Sequence, residues 1–209
     1  MKTIKQLKWR YACKKFDVTK TLSDKKINKL KKAFNLTATS FGLQPIKMLV
    51  IKDSKIKESL LEHGYYQQQI TTCSHLLVLC IDTQINLDTI DNYFDLEKEI
   101  RGTSEDVIGK FRQQLKDSFA DKTEQTKEQS AIYQTYIALG NLMTVCALEK
   151  IDSCAMEGFN SEKFDEVLNL KSLNLKSVLL LPVGYRAEDD FMSKLKKVRK
   201  PIKDTIIEF

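Results

Sequence analysis

The stretch SHLLVLCID, residues 74–82, is an almost unbroken run of aliphatic side chains. It is too short and too rich in strand-forming residues for a helix, so it predicts a β-strand. Two other runs have the same character, IKMLVIK at 46–52 and SVLLLPVGYRAED at 177–189. The first predicts a buried strand and the second another strong strand, so a sheet built from distant parts of the chain is expected.

Helical periodicity fills most of the remaining sequence. Ser23 precedes DKKINKLKKAF, whose apolar residues recur at helical spacing, so a helix capped by Ser23 is predicted. A short helix is expected near 54–63, and mainly helical structure from 86 to 150. Within that region SAIYQTYIALGNLMTVCALEK, residues 130–150, is apolar nearly all round and predicts a central buried helix.

Two shorter strands complete the prediction. DSCAMEGFN, 152–160, is expected to form a short strand that runs into a turn at Gly158, and KDTIIEF, 203–209, an edge strand. Because strands alternate with helices, the residues predict an α/β or α+β class with a sheet packed between helices. No linker or repeat is visible, so one domain over residues 1–209 is expected.

Composition indicates a cytoplasmic globular protein. Of the 209 residues, 42% are hydrophobic and 30% charged, as in ordinary soluble domains. No apolar run reaches about 18 residues, and the N-terminus lacks the apolar segment of a signal peptide. The five cysteines are odd in number and never spaced as C-x-x-C, which argues against disulfides or a zinc site and for a reducing compartment. We therefore predict neither a membrane partner nor a bound metal.

Positive charge is concentrated at the two ends of the chain, whose net charge is +6. Residues 1–35 contain twelve basic and two acidic residues, and KLKKVRKPIK, 194–203, contains six basic and no acidic ones. Most of these lysines fit a solvated helix surface. A nucleic-acid binder that uses both ends is an alternative, but the basic segments alternate with aromatic residues and no known binding fold is recognisable. No nucleic-acid partner is predicted.

Arginine is scarce, which makes its positions informative. The 34 basic residues comprise 29 lysines and five arginines. A guanidinium binds phosphate through two parallel hydrogen bonds, which an ammonium does not. Arg10 lies in the N-terminal basic segment and Arg199 in the C-terminal one. Such a placement is also compatible with chance, so composition alone leaves a shared phosphate site and a solvated surface both open.

Common catalytic motifs are absent from the sequence. No two of the seven glycines are spaced G-x-G, so the dinucleotide-binding fingerprint is missing. GTSEDVIGK, 102–110, has six residues between its glycines and lacks the final Ser or Thr of a phosphate loop. Two histidines and no G-x-S-x-G elbow leave little room for a Ser-His-Asp triad.

Five segments, taken together, resemble one family. They are RYACKKFD (10–17), TSFGLQPIK (39–47), AMEGF (155–159), VGYRAEDD (183–190) and KKVRKP (196–201). Their order and spacing resemble the nitroreductase family of FMN-dependent NAD(P)H oxidoreductases, from residue 4 to residue 202. The resemblance implies an α+β fold, a nitroreductase-like sandwich whose central, mainly antiparallel sheet is flanked by helices. It also implies an intertwined homodimer with FMN at the interface and a C-terminal tail, residues 190–209, that wraps the partner.

The resemblance assigns FMN contacts to residues spread over the whole chain. Four positions depart from the common pattern, which leaves the flavin potential and the substrate range open. Ala12 replaces a frequent serine, Gly42 and Tyr66 stand where asparagine is common, and Gln69 replaces a lysine of some members. Gln134 is either a cofactor contact or a buried structural glutamine. The assigned residues are Arg10, Tyr11, Ala12 and Lys14; Thr39, Ser40, Phe41 and Gly42 from the other subunit; Gln69 and Gln134; Met156, Glu157 and Gly158; and Lys197 and Arg199.

These assignments imply separate roles. Arg10 and Arg199 would neutralise the FMN phosphate. The family points a backbone N–H, here that of Glu157, at flavin N5, and a following glycine permits the close approach. Because the flavin carries the redox chemistry, no catalytic side chain is expected. Phe41 is expected to contact substrate, with simple packing as the alternative. Phe119 is a further candidate because the family covers the pocket with aromatics from this region, and core or dimer packing is its alternative.

The resulting hypothesis is an FMN-dependent oxidoreductase. NADH or NADPH, the co-substrate, would pass a hydride through flavin N5 to a nitroaromatic, quinone or similar small acceptor by a ping-pong mechanism. The alternative is a family member that binds flavin without efficient nicotinamide-driven turnover. Both nicotinamides remain candidate donors, since no ribose-phosphate selector is recognisable.

Overall fold

The computed structural model describes residues 2–209 and is built around a four-stranded antiparallel sheet. β2 pairs with β1, where Val78 lies opposite Leu49, and with β4, where Val78 lies opposite Leu180. The three strands predicted from apolar runs are therefore neighbours. The strands are β1 (Ile46–Ile51), β2 (His75–Asp82), β3 (Asp152–Ser153) and β4 (Leu175–Gly184), in the order β1-β2-β4-β3.

Both faces of β2 are buried, which explains its continuous apolar sequence. Leu77 and Leu79 belong to the core cluster on one face of the sheet, and Leu76 and Val78 to the cluster on the other. Successive side chains of a strand point to opposite faces. A strand with helices on both sides therefore needs apolar residues at every position rather than at alternate ones.

Helices cover the two faces of the sheet, as predicted. The first cluster draws its helical residues from α2, α5, α6 and α7, and the second from α4 and α8. The mainly antiparallel sheet between helices is thus confirmed. The α-helices are α1 (Lys2–Trp9), α2 (Asp24–Asn35), α3 (Ser54–Ser59), α4 (Gln69–Thr72), α5 (Leu87–Arg101), α6 (Glu105–Ala120), α7 (Glu124–Leu148) and α8 (Ser161–Val167), with short 3₁₀ turns at Ser40–Gly42, Glu62–Gly64, Leu170–Leu173, Phe191–Lys194 and Ile202–Asp204.

The long helix α7 is only half buried. Ala138 and Leu142 are fully buried and the helix contacts β2 and β4, so the predicted central helix is confirmed on this face. The prediction that it is buried all round is wrong for a single chain, because Tyr133 and Ile137 are 63% and 55% exposed. Length and composition alone would let α7 cross a membrane, a test that core helices of soluble proteins also pass.

Three local predictions need correction. β1 is an edge strand with partly exposed side chains rather than a fully buried one, because only β2 pairs with it. The segment 203–209 forms no strand; the 3₁₀ turn Ile202–Asp204 is followed by irregular, exposed chain. Ser23 does precede α2, but its carbonyl oxygen, not its side chain, accepts the first hydrogen bond, from Lys26 N–H at 2.9 Å.

Candidate functional site

The two basic ends of the chain meet at one open cleft. The cleft has a volume of about 490 Å³ and is lined by residues 8–12 and by residues between 192 and 199. Lys197 Nζ donates hydrogen bonds to the carbonyl oxygens of Leu7, at 3.1 Å, and of Arg10. Arg10, Tyr11, Ala12, Lys197 and Arg199, all of them predicted site residues, therefore line the same cavity.

The five arginines fall into two groups. Arg101, Arg112 and Arg186 each form an ion pair with a carboxylate. Arg10 and Arg199 form none with any carboxylate of residues 2–209, and Arg10 Nε is buried without a hydrogen-bond partner. The two arginines singled out from the sequence are thus the two whose positive charge the described chain leaves uncompensated, and they share one cleft.

The positively charged groups in the cleft disfavour one another's charged forms. Burial, and then the charge of Arg199, lower the pKa of Arg10. Burial, followed by the charges of Arg10 and Arg199, also lowers the pKa of Lys197. A lowered pKa means that the surroundings disfavour the charged form. A bound anion would remove this penalty, so the cleft has the electrostatic character of an anion site.

Asp190 attaches the N-terminal segment to the C-terminal one, a role that sequence reasoning missed. Its carboxylate is buried, with 1% of the residue exposed. It accepts hydrogen bonds from the Tyr11 hydroxyl at 3.0 Å, the Lys14 N–H at 2.9 Å and the Met192 N–H at 3.1 Å. The only signal in the sequence was its place in VGYRAEDD, and nothing there indicated which carboxylate of the run would be buried.

Arg186 supports the same segment from the opposite side. Its guanidinium lies 4.4 Å from the ring centre of Trp9 and 4.5 Å from that of Tyr11. Its Nε donates to Asp152 at 2.8 Å, and its backbone N–H donates to the same carboxylate at 3.0 Å. Sequence reasoning missed this residue too, although an arginine in a lysine-rich chain was the available signal. The side chain holds the residues on either side of Arg10.

Lys14 and Gln69 converge on one sulfur atom. Lys14 Nζ lies 3.7 Å from Cys154 Sγ and Gln69 Nε2 lies 4.0 Å from it. Burial raises the pKa of Cys154, so the thiol stays protonated. Gln67, two residues from Gln69, donates to the Gly158 carbonyl oxygen at 2.7 Å. Two predicted FMN contacts therefore lie together, next to the predicted turn.

The turn at 156–158 is held by the sheet and leaves a donor free. Met156 exchanges backbone hydrogen bonds with Leu180 at 2.9 and 3.0 Å, and its side chain is buried in the core, so only its backbone can contact a ligand. No hydrogen bond within residues 2–209 uses the Glu157 N–H. A Cβ at Gly158 would meet only Gln67 Nε2, at 3.8 Å, so the chain itself does not require glycine there.

The loop at 39–42 does not reach the cleft of Arg10 within one chain. It borders a separate cavity, which Phe119 and Gln134 also line. The Ser40 N–H donates to Gln134 Oε1 at 3.0 Å, and Gln134 Nε2 donates to the Ser130 carbonyl oxygen at 3.1 Å. Gln134 therefore fixes the loop, and its contact with the cofactor stays a prediction.

Phe41 is held in an unusual backbone conformation. Its φ of 56° lies in the left-handed region, which is uncommon for residues other than glycine, and 47% of it is exposed. Its ring lies 6.5 Å from that of Phe119, which is 8% exposed. Gly42 follows with φ +75°, and a Cβ there would lie 2.7 Å from the Tyr93 ring. A strained loop that presents an aromatic ring is typical of a ligand contact.

Other chemistry is not evident in the described chain. Residues 2–209 contain no cluster of three or more histidine, cysteine or acidic side chains placed to hold a metal ion. All five cysteines are free and buried. His75 is buried beside the Ser74 hydroxyl, at 2.8 Å from Nδ1, and burial lowers its pKa, so it is a neutral structural residue.

Comparison with known proteins agrees with the fold and the segments described above. A family model described as "Nitroreductase family" matches residues 7–185. A Staphylococcus epidermidis protein provisionally named NAD(P)H nitroreductase is 31% identical over 199 residues, which cover 90% of each chain.

Solved structures show the same architecture. A provisionally named nitroreductase of Bacillus subtilis superposes with a TM-score of 0.87 at 19% identity, covering 99% of this chain and 98% of that one. A protein of the same kind from Exiguobacterium sibiricum, solved with FMN, gives 0.87 at 19% identity, covering 99% and 97%. These structures have the nitroreductase fold, so the predicted sandwich is confirmed. The family model and the relative at 31% identity show that the chain belongs to the nitroreductase family.

Proposed function

We propose that this protein is an FMN-dependent oxidoreductase that uses NADH or NADPH to reduce nitroaromatic, quinone or similar small acceptors by a ping-pong mechanism. Family membership supports an oxidoreductase, and the relative from S. epidermidis carries NAD(P)H in its name. The observation that carries the proposal is the cleft in which Arg10, Lys197 and Arg199 meet without a carboxylate. We further propose that residues 1–209 form a single FMN-binding domain.

The residues present fit FMN. A phosphate dianion would pair with Arg10 and Arg199 and would give the buried Arg10 Nε the acceptor it lacks. Lys197 already uses its ammonium on two carbonyl oxygens, and a third proton remains for the phosphate. The Exiguobacterium protein of the same fold was solved with FMN. The cleft thus offers positive charge and hydrogen-bond donors to the phosphate of a ligand.

The edge of the flavin ring would be held by neutral and cationic donors. Lys14 and Gln69 lie within 4.0 Å of the same sulfur and can both turn to acceptor atoms of the pyrimidine edge. The free Glu157 N–H can donate to the ring at the turn, and Gly158 leaves room for the ring to approach. When bound, FMN supplies the hydride chemistry at N5. The chain needs to orient the ring and provide donors, which is what these residues do.

The visible spectrum tests this proposal directly. The purified protein should be yellow, and either NADH or NADPH should bleach its flavin absorbance in the absence of oxygen. Adding a nitroaromatic or quinone should restore the absorbance, and initial rates at several donor concentrations should give parallel double-reciprocal lines. Bound flavin that neither nicotinamide reduces would instead support the alternative, a flavin-binding protein without turnover. Protein that binds no flavin would refute both.

We also propose that the working unit is a homodimer in the cytoplasm. The predicted contacts at 39–42 lie at a different cavity from Arg10 in one chain, so a complete site needs that loop from a second copy. Tyr133 and Ile137 present an apolar face of α7 for such a partner, and the predicted tail, 190–209, which is exposed from residue 194 onward, would wrap it. The five free cysteines fit a reducing compartment.

Subunit complementation tests the shared site. A chain carrying Arg10→Met and a chain carrying Phe41→Asn should each form dimers of low activity. Co-refolding the two should produce heterodimers in which one of the two sites has both native residues. Activity should then rise above that of either variant alone, at a ratio set by the heterodimer fraction. No recovery in a verified heterodimer, or a monomer in solution, would refute the shared site.

A further inference from the structure

One carboxylate joins the two chain segments that form the anion cleft. Asp190 Oδ2 accepts hydrogen bonds from the Tyr11 hydroxyl at 3.0 Å, the Lys14 N–H at 2.9 Å and the Lys15 N–H at 3.4 Å. Its Oδ1 accepts from the Met192 N–H at 3.1 Å. Three donors thus come from the N-terminal segment and one from the start of the C-terminal segment.

The contacts of Asp190 suit a charged carboxylate and no other side chain. Two oxygens receive four donors, and both oxygens act only as acceptors when the group is ionised. Burial alone would raise the pKa of Asp190, but the hydrogen bonds from the Lys14 N–H and the Tyr11 hydroxyl outweigh it and lower the pKa. An asparagine would place its NH₂ group, which can only donate, against one set of donors.

The position of Asp190 ties it to the phosphate-binding arginine side chains. Arg10 directly precedes Tyr11, whose hydroxyl Asp190 holds, and Arg199 follows Asp190 on the C-terminal segment. Lys197 Nζ is also bonded to the Arg10 carbonyl oxygen. Two tethers therefore connect the same two segments. The like charges of Arg10 and Arg199 repel each other, and the tethers hold the segments together against this repulsion.

We propose that Asp190 is a positioning residue that holds Arg10 and Arg199 at the spacing of one phosphate and so makes the protein select phosphorylated flavin over riboflavin. The inference rests on the proposed function as an FMN protein. Asp190 would touch no ligand atom; it acts through the two segments that carry the guanidinium groups. Asp190 also holds the Lys14 N–H, so its loss would affect both flavins in part, but the larger effect falls on FMN, whose phosphate would use both guanidinium groups.

The test compares two flavins on matched variants. Full-length protein freed of flavin is titrated with FMN and with riboflavin, and binding is followed by the quenching of flavin fluorescence. Asp190→Asn should lose about tenfold in FMN affinity, equal to about 1.4 kcal/mol, and less than about twofold in riboflavin affinity. Asp189→Asn is the matched control, since the neighbouring carboxylate is exposed and pairs only with Lys15, and it should change neither.

Each other outcome has a defined meaning. Equal losses for both flavins would show a merely structural role and overturn the inference, as would unchanged FMN affinity. If wild-type protein binds neither flavin, the proposed function fails instead. If Asp190→Asn does not fold, Tyr11→Phe removes one donor and keeps the carboxylate and its backbone bonds. It should show the same selective loss for FMN to a smaller degree, and an unselective loss or none would overturn the inference.

Discussion

Replacing Arg10 by methionine should weaken FMN binding and at the same time leave the flavin-free protein as stable as the wild type or more stable. The Arg10 guanidinium is half-buried, its Nε has no partner, and burial and Arg199 lower its pKa. Without an anion this charge costs free energy of folding. Methionine keeps an aliphatic stem of similar length and removes the charge, so it relieves that cost while deleting a phosphate ligand.

The size of the loss in affinity follows from the exposure of the group. A hydrogen bond to a charged group contributes about 1.5–3 kcal/mol, which corresponds to about a 10- to 150-fold change in affinity. Arg10 is half-buried, so solvent screens its interaction only in part. Arg199 is exposed, so Arg199→Met should lose less. Riboflavin lacks the phosphate, and its affinity for the Arg10 variant should change less than about twofold.

The assay needs two measurements on the same preparation. Fluorescence titration gives the affinities for FMN and riboflavin, and thermal unfolding gives the stability of the flavin-free protein. Arg101→Met is the control, because Arg101 is paired with Glu97 at 2.7 Å and does not line the cleft. The reasoning is refuted if Arg10→Met binds FMN like the wild type, weakens both flavins alike, or lowers the melting temperature of the flavin-free protein.

Three substitutions and one pH dependence have outcomes set by the structure. Gly158→Ala should leave the flavin-free protein stable but weaken FMN binding by about 1–3 kcal/mol in a fluorescence titration, since only a ligand would come close to the new Cβ. Gly42 has φ +75° and a Cβ there would lie 2.7 Å from Tyr93, so Gly42→Ala should instead destabilise the fold by about 1–3 kcal/mol in urea unfolding. Phe41→Asn tolerates the left-handed backbone, so stability should hold while KM for a nitroaromatic rises about two- to twelvefold in steady-state assays. Asp190 has a lowered folded-state pKa, so its stabilisation is present above its ordinary pKa of 3.8 and is lost as pH falls through the folded value. Unfolding experiments below about pH 4 should therefore show a steeper loss of stability for wild type than for Asp190→Asn.

The fold was predictable where a short sequence pattern determines the structure. A run such as residues 74–82 is apolar at every position because both faces of β2 are covered, and that is visible in the sequence. Exposure within one chain was not predictable in this way. Tyr133 and Ile137 make α7 apolar all round, yet one chain leaves both exposed. The sequence shows that a side chain is apolar, but it does not show whether its own chain or a partner covers that side chain.

The same distinction applies to the candidate site, where some residues were predictable from the sequence and others were not. Their place in the two basic segments and the family resemblance together singled out Arg10 and Arg199, and both lack a carboxylate partner within residues 2–209. Asp190 and Arg186 were missed because their importance depends on contacts with residues more than 170 positions away, which no local pattern encodes. Gln134 was ambiguous for the same reason, since its bond to the Ser40 N–H is a long-range contact that no local pattern encodes.

The exposed apolar face of α7 and the turn at Glu157 and Gly158 lie close enough together to share one explanation. Tyr136 is on the partly exposed face of α7, and its pKa is raised by burial and then by the neighbouring Glu157 carboxylate. The open face of α7 therefore adjoins the turn whose N–H is free. A second chain that covers α7 would necessarily approach this turn, and a planar ligand placed there would be enclosed by both chains. Within residues 2–209, nothing requires glycine at 158, the Glu157 N–H has no hydrogen-bond partner, and the apolar face of α7 is exposed. A ligand and a partner chain at this one place would account for all three features.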